Sequence, residues 1–253
     1  MPRLSLIVIT KNEELAIERC LRSVENIADE IVVVDSGSTD RTPEIAKRFG
    51  AILLQPADWP GFGPQKQRAQ EAASGEWVLS LDADEWIEEG LRAEILAVLT
   101  DPSAKPAYRV PRRNRFMGEV VRHGGWWPDY VLRLYRRDRG RFNDNLVHES
   151  VVVDGEIGTL TNPIEHDTIA SPEDADGKIE RYARIAASEL LSRGRSSSPL
   201  LARLRGAAAY VRSYVLQRGF LDGRTGLRVA SYQARYTYRK WANVSSGSKR
   251  GPG

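Results

Sequence analysis

Cysteine is almost missing from this chain: one occurs in 253 residues. That excludes an intramolecular disulfide framework and fits a reducing compartment. Cys20 lies on the apolar face of the first expected helix, so it reads as a core residue with no catalytic role. Long hydrophobic runs are also missing, since no segment approaches the ~20 apolar residues that span a bilayer. The opening Met-Pro-Arg-Leu-Ser-Leu-Ile-Val-Ile lacks a small-residue cleavage site and reads as a first strand, not a signal peptide. Acid is scarcest over the C-terminal quarter. From Arg193 to Gly253 there are 13 Lys or Arg against a single Asp222, a charge of +12 in a chain whose net charge is +3. Residues 1–192 therefore carry −9. Such asymmetry points to a polyanionic surface as partner, either anionic lipid headgroups or nucleic acid. With 41% apolar residues the chain can bury one good core, as a large α/β domain with an appendage.

What is present is most informative at Leu79–Glu85. The run Trp77–Leu81 has the length and content of a buried strand, so Asp82 and Asp84 stand at its C-terminal end and face one crevice. Such a pair can chelate a hard divalent cation, which in turn can hold a diphosphate. Asp is also a common turn residue, so the pair alone decides little. Further segments agree with it. Leu4–Ile9 is a β-prone run ending in Thr10-Lys11-Asn12-Glu13, followed by Ile17, Cys20, Leu21 and Val24 at helical spacing. Glu30–Val34 ends in Asp35-Ser36-Gly37-Ser38-Thr39-Asp40, with Thr42 as N-cap and Pro43 opening a second helix. Serial βα units imply a parallel sheet that binds ligands beyond the carboxyl ends of its strands.

These motifs, in this order and spacing, resemble a family 2 glycosyltransferase. The later Gly-Trp-Trp-Pro-Asp-Tyr, Arg-Leu-Tyr-Arg-Arg, Val-His-Glu and Gly-Phe-Leu-Asp-Gly segments resemble the bacterial lipopolysaccharide core β-glucosyltransferases of that family. The resemblance implies an α/β GT-A fold: a mixed, mainly parallel sheet flanked by helices, here with a basic helical C-terminal extension. The expected division is a nucleotide-sugar-binding half at 1–105, an acceptor-side half at 106–170, helices at 171–242 by their periodicity and a Ser/Gly-rich, disordered tail at 243–253. The resemblance further implies a nucleoside-diphosphate sugar donor, UDP-linked, with glucose as the sugar. Thr10, Asn12 and Glu13 then lie near base and ribose, Asp35 accepts a hydrogen bond from the base, and Lys66 stands near the diphosphate. The other reading of Lys66 is a solvated helix charge.

A divalent ion, Mg or Mn, held by Asp84 with help from Asp82, would assist departure of the diphosphate. Inverting transfer also needs a carboxylate to take the acceptor's proton. Asp129, beside aromatics that can stack on sugars, and Glu149, beside His148, are the candidates, with Asp129 slightly favoured. His148 is either a metal or diphosphate ligand or a structural histidine, while His123 and His166 read as structural. The Gln-x-x-Arg-Trp of processive members is absent. Arg109, Arg112, Arg113 and Arg115 form a basic cluster that reads either as a solvated strand edge or as an anion site.

On the last expected helix, Arg224, Arg228, Arg235 and Arg239 share an arc of about 60° at 3.6 residues per turn. That stripe suits an anionic membrane surface, or else a docked helix with solvated arginines. The expected acceptor is a saccharide or lipid-linked saccharide, and the expected place is cytoplasmic, peripheral on the inner face of the bacterial cytoplasmic membrane. Two competing readings are weaker. Nucleotidyl transfer would want a Gly-rich phosphate loop after the first strand, and Thr10–Glu13 has no glycine. Nucleic-acid binding leaves the acidic strand ends unexplained, so no nucleic acid partner is expected.

Overall fold

The computed structural model describes residues 4–143 and 150–247. Its chain divides into two compact units, one of Met1–Arg112 with Asp129–His166, the other of Arg113–Pro128 with Asp167–Gly253. Residues 113–128 therefore group with the C-terminal helices, which an expected boundary at residue 171 does not anticipate.

In the first unit, β1 (Leu4–Thr10), α1 (Ile17–Val24), β2 (Glu30–Asp35), α2 (Thr42–Arg48) and β3 (Ile52–Leu54) alternate as the apolar runs predict. Then come α3 (Phe62–Ala72), β4 (Trp77–Asp82), β5 (Glu85–Ile87) and α4 (Glu89–Thr100). The rest is strand-rich: β6 (Ala107–Phe116), β7 (Glu119–Val120), β8 (Asp129–Arg136), β9 (Gly140–Phe142), β10 (Val151–Val153), β11 (Ile157–Thr159) and β12 (Ile164–Ile169). The main sheet runs β3-β2-β1-β4-β8-β6-β12-β5. β1, β2, β3 and β4 are mutually parallel, whereas β8 joins β4 antiparallel. This is the expected mixed α/β sheet.

β1 is a near-continuous apolar run because both of its faces are covered. Its Leu4, Leu6 and Val8 enter one core with Ile17, Leu21, Leu91 and Ile95, while Ile7 enters the opposite core with Val32, Val34 and Val78. The register decides where the polar strand ends meet: Thr10 pairs with Asp35, and Ile9 with Asp82.

The second unit holds β7 and the helices α5 (Pro172–Ser192), α6 (Pro199–Val211) and α7 (Gly223–Gly247). A π-helical turn at Arg212–Leu216 and a 3-10 turn at Gly219–Asp222 join α6 to α7. Ser171 and Ser198 cap α5 and α6 by accepting the amides of Asp174 and Leu201, each at 3.2 Å, with proline next in the chain. The unit's core is Phe116, Val121, Ile169, Ala175 and Val229. Phe116, Trp126 and Tyr232 meet edge to face around it. α7 runs on to Gly247, into the segment expected to be a disordered tail.

α7 starts hard against the 3-10 turn. A Cβ on Gly226 would stand 1.7 Å from the carbonyl oxygen of Gly219. Gly226→Ala is expected to lower the unfolding free energy by about 1–3 kcal/mol through this overpacking, read from urea midpoints.

Candidate active site

The carboxyl ends of β1 and β2 are laced together before any ligand is considered. Asn12 takes a positive φ of 57°, donates its amide to Ser38 Oγ at 2.7 Å and accepts the Thr39 amide at 2.8 Å. Glu13 donates its amide to Thr42 Oγ1 at 2.8 Å, and Glu14 donates to Asp40 Oδ2 at 3.1 Å. Thr42, expected as an N-cap, is instead the first residue of α2 and holds the neighbouring loop. Asp35 is fully buried and accepts from the Ser38 amide at 3.0 Å, from Gln55 Nε2 at 3.2 Å and from Thr10 Oγ1 at 3.1 Å, besides the Ser38 hydroxyl. Burial opposes its charge, yet these donors outweigh it and hold the carboxyl below its usual range.

The end of β4 is an ion lattice. Lys66 Nζ lies 2.7 Å from Asp82 Oδ1, and Arg133 Nη2 lies 2.5 Å from Asp82 Oδ2 and 2.7 Å from Glu85 Oε1. Arg112 Nη1 reaches Glu85 Oε1 at 3.1 Å, and Arg112 Nε and Nη2 both donate to Asp129 Oδ2, at 2.9 and 2.7 Å. Cations and carboxylates thus alternate from Lys66 to Asp129. Burial opposes the charge on Asp82, but Arg133 and Lys66 outweigh it and hold that carboxyl well below the usual range. Underneath, the buried Cys20 Sγ lies 3.6 Å from the Asp82 carbonyl oxygen, and burial with Glu85, Asp84 and Asp82 nearby pushes the thiol up.

Lys66 is only 2% exposed and is a structural partner of Asp82, not a solvated helix charge. Lys66→Met would leave a largely buried carboxylate short of a cation, an expected loss of about 3 kcal/mol in unfolding free energy at pH 7. Because the folded Asp82 carboxyl is depressed, its stabilisation is complete above the unfolded value of about 3.9 and is lost as pH falls through the folded one. Urea titrations of both proteins from pH 7 to pH 3 check the size and the direction.

Asp84, two residues beyond Asp82, meets a histidine. His166 Nε2 lies 3.4 Å from Asp84 Oδ2. β12 carries the histidine there by pairing antiparallel with β5, His166 opposite Glu85. Carboxylate and imidazole together form an oxygen and nitrogen donor pair that suits a divalent ion. Among the described residues no larger His, Cys, Asp or Glu group gathers as a metal site. His148 and Glu149 lie outside the described residues.

The basic cluster of β6 is not one group, since alternation sets Arg112 on the face opposite Arg113 and Arg115. Arg112 joins the lattice, Arg109 stacks over Tyr130 at 5.2 Å, and Arg113 and Arg115 belong to the second unit. Asp129 is matched across β6 and β8 with Arg112, whose guanidinium bonds its carboxylate. Trp126 packs against Phe116 and Tyr232, while Trp127 is exposed. Arg133, Glu85 and His166 are site residues that the motifs left without a role. For Arg133 the signal was an arginine inside the apolar run Val-Leu-Arg-Leu-Tyr. His166 offered none, because its place depends on a pairing with β5.

The family described as Glycosyl transferase family 2 matches residues 5–151. An uncharacterized glycosyltransferase of Rickettsia typhi is 30% identical over 238 residues, spanning 89% of this chain and 81% of the relative. The lipopolysaccharide core biosynthesis glycosyltransferase LpsC of Rhizobium meliloti is 29% identical over 257 residues, 94% of this chain and 93% of LpsC. Among solved structures, S. aureus TarS 1-349 in complex with UDP has a TM-score of 0.50 at 18% identity over 99% of this chain and 92% of that one, a likeness of fold. The family match takes in the polar ends of β1, β2 and β4 and the ion lattice they lead into, so the chain belongs to glycosyltransferase family 2, an enzyme whose mixed sheet is the GT-A fold.

Proposed function

We propose that the enzyme transfers a hexose, glucose by the resemblance of its motifs, from a UDP-linked donor to a lipopolysaccharide core saccharide, with inversion at the anomeric carbon. One observation carries this reading: the likeness to LpsC runs through 94% of the chain, past the nucleotide half and across β8 and the C-terminal helices. Thr10, Asn12, Glu13 and Asp35 form the nucleoside end of the site. Lys66 and Asp82 continue it toward the diphosphate, with Arg133 beside them.

Asp84 and His166 fit a divalent metal, Mg or Mn, by the chemistry of their donors. Asp82, with a cation against each oxygen, suits a positioning role better than direct ligation. When bound, the ion neutralises charge that develops on the leaving diphosphate. Asp129 or Glu149 takes the acceptor proton, and Arg112 orients Asp129 through its paired guanidinium bonds.

The acceptor is lipid-linked, and the enzyme works as a peripheral protein on the inner face of the cytoplasmic membrane. Among the described residues no helix is long and apolar enough to cross a membrane. Arg224, Arg228, Arg235 and Arg239 are all exposed on α7, although Arg235 also meets Asp176 of α5 at 2.5 Å. The stripe is the electrostatic element of membrane contact.

A thermal-shift screen of UDP, GDP, UDP-glucose and UDP-N-acetylglucosamine, with and without Mn, tests the donor. A ligand at a hundred times its Kd stabilises by about 2.7 kcal/mol, roughly 5–10 °C for a chain of this size. UDP-glucose with Mn is expected to give that shift and GDP none. A shift by GDP alone removes the uridine assignment, and failure to label a truncated lipopolysaccharide from radioactive UDP-glucose removes the acceptor or the sugar.

A further inference from the structure

α6 is amphipathic the wrong way round. Its buried residues are Ala202 and Gly206, while Leu200, Leu201 and Leu204 are 65%, 39% and 58% exposed. The small residues let α7 come close, since a Cβ on Gly206 would lie 3.1 Å from Tyr238 Cβ. A helix of a water-soluble core does the opposite and buries its leucines. Leu200, Leu204 and Val211 fall within about 40° of one another at 3.6 residues per turn. The ridge continues beyond α6 through Val215 and Leu216, 51% and 73% exposed, to Phe220 and Leu221, 48% and 56% exposed.

The Gly-Phe-Leu-Asp-Gly segment ends this ridge, and its residues divide by task. Asp222 accepts the amides of Arg122 and His123 at 2.9 and 2.8 Å and meets His123 Nδ1 at 2.7 Å. Gly219 is buried against Ser213 and Tyr214. Phe220 meets the Tyr214 ring edge to face at 6.4 Å but leaves about half of its surface open, as Leu221 does. Between Pro199 and Gly247 Asp222 is the one acid, and its side chain is 8% exposed, so no exposed carboxylate interrupts this face. Arg203, Arg212, Arg218 and Arg224 flank the ridge instead.

We propose that this ridge, from Leu200 to Leu221, inserts into the headgroup and upper acyl zone of an anionic lipid bilayer. Contiguous exposed apolar side chains of this size mark an interaction surface. Flanking arginines without acids select a negatively charged occupant, and an interfacial helix of this kind sinks about 5–10 Å. A second copy of the chain is a poor occupant, because it would set arginine against arginine with no exposed carboxylate between them. The ridge is separate from the arginine stripe of α7, which supplies attraction but no insertion. The proposal deepens the membrane part of the proposed function and rests on it. Its test uses neither donor nor acceptor, so either idea can fail alone.

The full chain would be mixed with vesicles of phosphatidylcholine and phosphatidylglycerol at 7:3. Leu204→Glu with Leu216→Glu, and Phe220→Glu with Leu221→Glu, are each expected to lower the bound fraction at least tenfold with unchanged melting curves. An environment-sensitive dye on Leu204→Cys or Leu216→Cys reports insertion directly, since Cys20 is buried. Its emission is expected to shift to the blue with these vesicles and to stay put when attached at Arg239→Cys. Unshifted emission at both ridge positions overturns the proposal, even if the protein still sediments with vesicles through its arginines. So does wild-type-like binding by both glutamate pairs. A vesicle-free dimer that the same glutamates dissolve assigns the ridge to a second copy and overturns it too. Retention of an acidic protein on the ridge, with no response to vesicles, has the same effect.

Discussion

Asp84→Asn is expected to cut transfer by roughly a thousandfold, as loss of a group that stabilises developing charge does. The amide keeps the shape of the side chain but lacks the negative charge that a hard cation requires. Because it conserves volume, the substitution should leave the melting curve nearly where it was. Rates measured across a Mn titration separate the possible roles. If the variant recovers at high Mn, Asp84 tunes affinity for the metal. If it stays inactive at saturation, Asp84 also places the ion. Wild-type activity undiminished in EDTA would remove the metal role of Asp84 and His166 together.

Asp129→Asn should lower turnover by on the order of 10²–10⁴-fold while donor KM stays nearly constant, the pattern of a group that acts on the acceptor in the transition state. Glu149→Gln should be milder. Arg112 complicates the first variant, because replacing its carboxylate partner disturbs a guanidinium that also meets Glu85. Asp129→Glu serves as the control. If the lattice alone mattered, restoring a negative charge would restore turnover, whereas a base moved by one methylene remains impaired. A larger loss from Glu149→Gln than from Asp129→Asn makes Glu149 the base and leaves Asp129 to orient Arg112.

The sheet and the ends of β1, β2 and β4 were legible because parallel buried strands are continuous apolar runs stopped by polar residues, and that pattern needs no long-range information. The site around them was legible only as single residues. Lys66 is charged and sits among glutamines and an arginine, so nothing local says that it turns inward to Asp82. His166 reaches Asp84 through pairing of β12 with β5, strands separated by much of the first unit's sequence. The arginines of β6 looked like one cluster because spacing in sequence does not show that Arg112 turns to Glu85 and Asp129. α6 shows a further limit: helical periodicity identifies an apolar face without saying whether protein covers it.

The hydrogen bonds that lace Asn12, Glu13 and Glu14 to Ser38, Thr39, Asp40 and Thr42 have a thermodynamic consequence for whatever the strand ends receive. Loops that order only around a ligand give up backbone entropy at the moment of association, about 1–2 kcal/mol per residue fixed. Here that entropy is given up during folding. Association of a nucleotide with this edge should therefore show a small entropy penalty in calorimetry, and the amides of residues 12–14 and 38–39 should resist hydrogen exchange in the free enzyme as strongly as in the complex.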